Sequence, residues 1–149
     1  DGTIRSKAYN IEIAKIDPEI KIVDKACPLF VPIVEEGWAN TDIASLTARR
    51  YLEELMDKGI DSLVLGCTHY PLLKRTIGEI VGENVKLVNP ARETAKDLKR
   101  ILENDNILRE ETEEHPNYEY YVSDIPEKFA SIAEEFLKKE IDDIKSVKI

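Results

Sequence analysis

The chain reads as an α/β protein in which a parallel sheet is flanked by helices. Three observations predict this. Residues 62–65, Ser-Leu-Val-Leu, form an apolar run that stops at Gly66, as a strand entering a tight turn does. Residues 85–88, Val-Lys-Leu-Val, form a second short apolar run that stops at Asn89-Pro90. Helix-patterned segments precede, separate and follow the two runs, and this alternation leads to parallel strands joined by helical crossovers.

Taken in order, Gly2-Thr3 reads as the exit from a strand, and the chain as a portion of something longer. Ser6 is the expected N-cap of a helix carrying Ala8, Tyr9, Ile11, Ile13 and Ala14, which must stop near Asp17-Pro18. Residues 20–25 alternate apolar and polar side chains, as a half-buried strand does. The two prolines of 26–37 exclude a regular strand and predict a short helix or structured loop closed by Gly37. Asn40 or Thr41 caps a long helix running to about Lys58, with Ile43, Leu46, Tyr51, Leu52 and Leu55 on or near one face and Gly59 as its stop.

The run 63–65 is then expected as a strand buried on both faces, with Gly66 letting the backbone leave the sheet sharply. A helix follows over about 70–81, with Pro71 in its first turn, where a missing N–H is tolerated. Residues 92–104 place Ala95, Leu98, Ile101 and Leu102 at helical spacing. The acidic segment 109–116 holds no apolar residue and reads as a solvated loop. Residues 118–122 read as a strand, Ser123 or Asp124 as a cap, and 126–137 as a last amphipathic helix through Phe129, Ile132, Ala133, Phe136 and Leu137. The tail after Lys138 carries little pattern.

Composition removes several classes of function. The 149 residues suffice for one ordinary core, and no apolar run approaches the roughly 20 residues needed to span a bilayer, so no membrane partner is expected. A net charge of −9, with basic and acidic residues interleaved throughout, argues against nucleic acid. Cys27 and Cys67 are the two cysteines, and without a secretory-type beginning they read as free thiols in a reducing compartment, the cytoplasm.

The chemistry concentrates at Cys67-Thr68-His69, at the carboxyl end of the first predicted strand, where open α/β sheets place ligands. An ordinary thiol, with a pKa of about 8.5, is mostly protonated at neutral pH and needs help to become a thiolate. A helix N-terminus offers unpaired N–H groups and a favourable dipole, and His69 can assist if its ring turns toward the sulfur. Thr68 adds a hydroxyl and a backbone N–H able to hold an anion such as a carboxylate. Against this stands the plainer reading, in which Cys67 is a small buried hydrophobe and His69 a satisfied turn residue. The residues alone leave both open.

Other chemistries fail on spacing. A cysteine phosphatase loop needs an arginine close after its thiol, whereas Tyr70-Pro71-Leu72-Leu73 follows and the first arginine is Arg75. A zinc site needs further ligands, and Cys27 and His115 lie far from Cys67 with no paired motif. The three spaced glycines of a dinucleotide site are missing, so neither a nicotinamide nor a flavin is predicted, and no cofactor or metal is expected. In 26–37 the Glu35-Glu36 pair ends an apolar segment; a carboxylate there can orient an imidazole, or simply face solvent. Cys27, beside Pro28, reads as structural.

Leu65-Gly66-Cys67-Thr68-His69-Tyr70-Pro71-Leu72-Leu73, together with Ala26-Cys27-Pro28-Leu29-Phe30-Val31-Pro32-Ile33-Val34-Glu35-Glu36-Gly37, resembles the glutamate racemase family of the cofactor-independent aspartate/glutamate racemase superfamily. Gly2-Thr3 with Ser6 and Tyr9, and Tyr121-Val122-Ser123-Asp124, also resemble the family pattern, so the resemblance covers nearly the whole chain. It implies two similar α/β domains with the active site between them and one acid/base cysteine from each. It implies that Cys67 is one of these thiols, the base toward L-glutamate. It assigns Thr68 to substrate binding, His69 to proton traffic at Cys67, and Glu35 to the acidic partner of that histidine.

The departure is equally informative. The family's Asp-Ser-Gly and Cys-Asn-Thr motifs, which supply the other thiol and much of the substrate recognition, are missing from this sequence. Cys27 matches a different family position and does not replace that thiol. The resemblance therefore implies a C-terminal portion: 1–88 as most of the second domain and 89–149 as a returning segment that completes the first. It implies an isomerase supplying D-glutamate for peptidoglycan and cell-wall biogenesis, with this chain alone inactive. A non-catalytic binding or assembly domain, or a racemase of aspartate or another amino acid, is the alternative, and a homodimer is left open.

Overall fold

The structure, a computed structural model, describes residues 2–110, 117–123, 125–141 and 144–148. Its elements run α1 (Gly2–Arg5), α2 (Ala8–Ile16), α3 (Phe30–Glu35), α4 (Asp42–Asp57), β1 (Ser62–Val64), a 3-10 helix (Tyr70–Leu73), α5 (Lys74–Val81), β2 (Lys86–Val88), α6 (Pro90–Asn104), β3 (Tyr120–Val122), α7 (Pro126–Leu137) and β4 (Ile144–Ser146). The class is α/β, with two parallel strand pairs accompanied by helices. The chain divides into two compact units, Asp1–Ile101 and Leu102–Ile149. No helix among the described residues is long and apolar enough to cross a membrane.

In the first unit β1 pairs in parallel with β2, with Ser62 opposite Lys86, Leu63 opposite Leu87 and Val64 opposite Val88. The Leu65 N–H donates to the Val88 carbonyl at 2.9 Å and extends the ladder. Parallel neighbours need a long return, which the 3-10 helix and α5 supply. The core behind this pair gathers Leu65, Leu73, Ile77, Val81 and Val85 with Phe30, Ile33 and Val34 of α3. Helix α4 adds Ala44, Ala48, Leu52 and Leu55, one residue per turn along a single face. Thr41 caps α4, its Oγ1 accepting from the Ala44 N–H at 3.5 Å. Gly37 and Gly59, at φ of 73° and 67°, close α3 and α4 in the left-handed conformation that glycine adopts without a Cβ clash.

Several expectations are corrected in this unit. Gly2-Thr3 lies in helix α1, not at a strand exit. Ser6 does not cap α2: its hydroxyl donates back to the Thr3 carbonyl at 3.0 Å, and Lys7, at φ 53°, takes the N-cap position. Residues 20–25 form no strand, because alternation alone supplies no partner; the segment is tethered instead by Lys7–Asp24 and Lys25–Glu54 ion pairs of 2.8 and 2.6 Å. On α4, Ile43 and Leu46 are exposed and small alanines take the inner face. Strand β1 is not buried on both faces, since Ser62 and Val64 are exposed. The expected helix over 70–81 splits into a 3-10 turn and α5, and α6 begins at Pro90, earlier than expected.

In the second unit β3 pairs in parallel with β4, with Tyr120 opposite Ile144 and Val122 opposite Ser146. Strand β4 lies in the tail where the sequence pattern is weak. Helix α7 has the predicted bounds and packs on β4, with Ile141 buried nearby. Its N-cap is Ile125, which makes no side-chain cap, followed by Pro126 in the first turn; Ser123 is therefore not the cap. Asp124, residues 111–116 of the expected acidic loop, and His115 lie outside the described residues.

Candidate functional site

The four predicted site residues, Glu35, Cys67, Thr68 and His69, all fall in the first unit. Beyond β1 the chain turns through two successive three-residue hydrogen bonds, Gly66 N–H to Val64 C=O at 3.0 Å and Cys67 N–H to Leu65 C=O at 2.9 Å. Gly66 is not among the glycines with positive φ, so the sharp exit does not use the left-handed region. What crowds the position is the ring of Tyr9: a Cβ on Gly66 would sit 3.3 Å from Tyr9 Cε2, a tight approach that glycine avoids.

Cys67 is a free, half-buried thiol in a bend three residues ahead of the 3-10 helix. The expected placement at an α-helix N-terminus is thereby changed, because α5 starts only at Lys74. The Cys67 carbonyl accepts from the Tyr70 N–H at 3.3 Å, and the His69 carbonyl accepts from the Leu72 N–H at 3.1 Å. These bonds fold Thr68 and His69 into a tight turn directly after the thiol.

The imidazole of His69 is held from two sides. Its Nε2 lies 3.5 Å from Glu35 Oε1, and its Nδ1 lies 3.2 Å from Thr68 Oγ1. With its proton on Nε2, the neutral ring donates toward the Glu35 carboxylate and accepts a hydrogen bond from the Thr68 hydroxyl at Nδ1. Protonation of the ring reverses the second bond: Nδ1 then donates, and the Thr68 hydroxyl proton turns elsewhere. The state of the imidazole thus sets which way the Thr68 hydroxyl points, one residue after Cys67 in sequence. Glu35, the last residue of α3, and His69 are brought together across 34 positions of sequence.

Cys27 is set apart from this group. It is buried, its thiol donates to the Lys25 carbonyl at 3.8 Å, and burial pushes its pKa up to about 11 despite the opposing charge of Lys25. It stays a neutral thiol at ordinary pH. Sequence reasoning placed Tyr70 at the start of the helix over 70–81 and within the family motif but gave it no role of its own. Its hydroxyl donates to the Cys27 carbonyl at 3.1 Å, and its ring meets the edge of Phe30 with centroids 5.2 Å apart. Nothing in hydropathy or spacing marks such a residue.

The chain is 51% identical over all of its 149 residues to the glutamate racemase of Geobacter metallireducens, and 44% identical over 147 residues to that of Neisseria meningitidis. This chain is a homologue of the glutamate racemases. It spans about half the length of the curated relatives it matches, 55% and 54% for these two. Among solved structures, glutamate racemase from Francisella tularensis in complex with D-glutamate matches 98% of this chain at TM-score 0.87 and 40% identity, over 54% of its own chain. A glutamate racemase isoform from Bacillus anthracis matches 99% of this chain at TM-score 0.90 and 32% identity, over 55% of its own. The α/β fold is thus shared with solved glutamate racemases. No family model matches the chain.

Proposed function

We propose that the chain forms one wall of the active site of a cofactor-independent glutamate racemase. The observation that carries this reading is the 3.5 Å contact between Glu35 and His69 in the turn that follows Cys67. The homology to glutamate racemases supports it and suggests the substrate. In this reading, residues 1–88 supply most of the second α/β domain and residues 89–149 return to complete the first. The protein acts in the cytoplasm and supplies D-glutamate for peptidoglycan, and so for cell-wall biogenesis and cell shape.

In the L-to-D direction the Cys67 thiolate takes the α-proton of L-glutamate, leaving the electron pair of the broken C–H bond on the α-carbon. A second thiol on the opposite face, in a part of the protein beyond this chain, gives its proton to that carbon. The reverse direction exchanges the two roles. Thr68 holds a charged group of the substrate. His69, oriented by Glu35, moves the proton at Cys67 between turnovers. Because the α-hydrogen is a very weak acid, every tenfold of rate requires about 1.36 kcal/mol of differential stabilisation, and two walls are needed to supply it.

The isolated chain is therefore inactive and the full-length protein active. Circular dichroism of L-glutamate tests both statements. Decay of the signal is expected with the full-length protein, its loss with Cys67→Ser, and no decay with the isolated chain. Decay with the isolated chain overturns the two-wall reading. An inert full-length protein overturns the racemase reading, and turnover of aspartate in place of glutamate overturns the substrate.

A further inference from the structure

We propose that Tyr70 is a positioning residue for the Glu35–His69 pair, tying the turn that carries the histidine to the helix that carries the carboxylate. The inference rests on the function proposed above only for its kinetic readout. Glu35 and His69 sit on segments 34 positions apart and are partly exposed, with 32% and 22% of their side chains accessible. A contact of that kind is held by whatever holds the segments. The residue after His69 does so at two points. Tyr70 Oη donates to the Cys27 carbonyl at 3.1 Å, just ahead of α3, and the Tyr70 ring packs edge-on against Phe30, the first residue of α3, at an interplanar angle of 87°.

Phe30 is itself fixed. It is 1% exposed and meets the Tyr51 ring of α4 edge-on with centroids 5.4 Å apart, while Tyr51 Oη accepts from the Leu29 N–H at 3.3 Å. Phe30 and Glu35 are the two ends of a single six-residue helix, about 7.5 Å long on its axis, which moves as one body. Displacing Tyr70 from Phe30 and Cys27 therefore displaces His69 from Glu35. Burial, reinforced by the nearby Cys27 and Cys67 thiols, pushes the Tyr70 hydroxyl up to about 12, so it remains a donor at every pH at which the protein works. It does not itself exchange protons with substrate.

The test is a double-mutant cycle between Tyr70→Phe, which keeps the ring and removes the hydroxyl, and Glu35→Gln, in the full-length protein. If Tyr70 acts through the pair, Tyr70→Phe alone lowers kcat about tenfold with KM changed less than about twofold, and costs less than about twofold in the Glu35→Gln background. Losses that multiply independently in the double variant overturn the proposal. Carbon-13 labelling of the histidine rings gives a readout free of catalysis, with His69→Asn identifying the signal. The His69 signal is expected to shift or broaden in Tyr70→Phe in the direction produced by Glu35→Gln. A His69 signal unchanged in Tyr70→Phe also overturns it. An inactive wild-type protein would refute the racemase reading and leave the ring signal to decide this one. If Tyr70→Phe fails to fold, Phe30→Leu, which keeps an apolar side chain but removes the ring contacts to both Tyr70 and Tyr51, is expected to shift the His69 signal in the same direction, and an unchanged signal overturns the proposal.

Discussion

The ring of Tyr9 closes over Gly66, leaving 3.3 Å between its Cε2 and the place where a side chain would begin. That spacing is below ordinary van der Waals contact, and it makes the turn before Cys67 dependent on helix α2. Gly66→Ala is expected to destabilise the protein by about 1 kcal/mol, the low end of overpacking costs, because an aromatic ring can give by a few tenths of an ångström. Urea denaturation measures the loss. Adding Tyr9→Leu should recover most of it, and a double variant no better than Gly66→Ala alone would show that the ring is not the obstacle.

The two thiols differ in access. Cys67 is half-buried, whereas Cys27 is buried and hydrogen-bonded to the Lys25 carbonyl. Iodoacetamide at pH 8 should modify Cys67 in the native protein and reach Cys27 only after denaturant is added. Peptide mass mapping after timed quenching reads this directly, and early modification at Cys27 contradicts the packing described.

Cys27 also predicts an alkaline limb of stability. Burial pushes its thiol up to about 11, so from about pH 9 upward the unfolded chain releases a proton that the folded chain keeps. The stabilisation is complete below pH 9 and is lost as pH rises to about 11. Melting temperatures across that window should fall more steeply in the wild-type chain than in Cys27→Ala. Tyr70, raised to about 12, continues the same trend from pH 10 upward.

An acid limb is expected at Glu54, which accepts from Lys25 and Lys58 and is drawn down to about 2 mainly by those two hydrogen bonds. A depressed carboxyl contributes its stabilisation above its unfolded value of about 4.5 and loses it as pH falls toward 2. The Glu54→Gln variant should show a shallower decline over that interval in urea titrations. Because the site is exposed, the difference should shrink at high salt.

Thr76 is the one buried polar side chain among the described residues, and its hydroxyl donates to the Ala39 carbonyl at 2.7 Å. Thr76→Val keeps the shape and strands that carbonyl, at an expected cost of about 1–3 kcal/mol. Thr76→Ser, which keeps the donor, should recover a substantial part. Equal losses in the two variants would assign the effect to volume instead.

How far the fold could be read in advance depended on whether the decisive signal was local. Helices α4 and α7 could be placed closely because Thr41, Gly59 and Pro126 act on their own turns. Residues 20–25 misled because a strand is defined by its neighbour, and alternation says nothing of one. The reverse held for β4, where a partner makes a strand of a segment with weak pattern. Ala44 and Ala48 were passed over because alanine adds little to a hydrophobic stripe, yet its smallness is what suits the inner face of α4. At the site, Cys67, Thr68 and His69 were visible as neighbours in sequence. Glu35 needed the family resemblance, and Tyr70 needed coordinates, because a tether across 43 positions leaves no periodicity.

Glu35, Cys67, Thr68 and His69 lie with their supports inside Asp1–Ile101, ahead of Leu102–Ile149 in the order in which a ribosome makes the chain. At about 5–20 residues per second the later segment takes a few seconds to emerge, far longer than turns and helices take to form. Asp1–Ile101 is therefore able to fold while Leu102–Ile149 is still being made, with the half-buried thiol of Cys67 meeting the cellular milieu before that later segment has emerged.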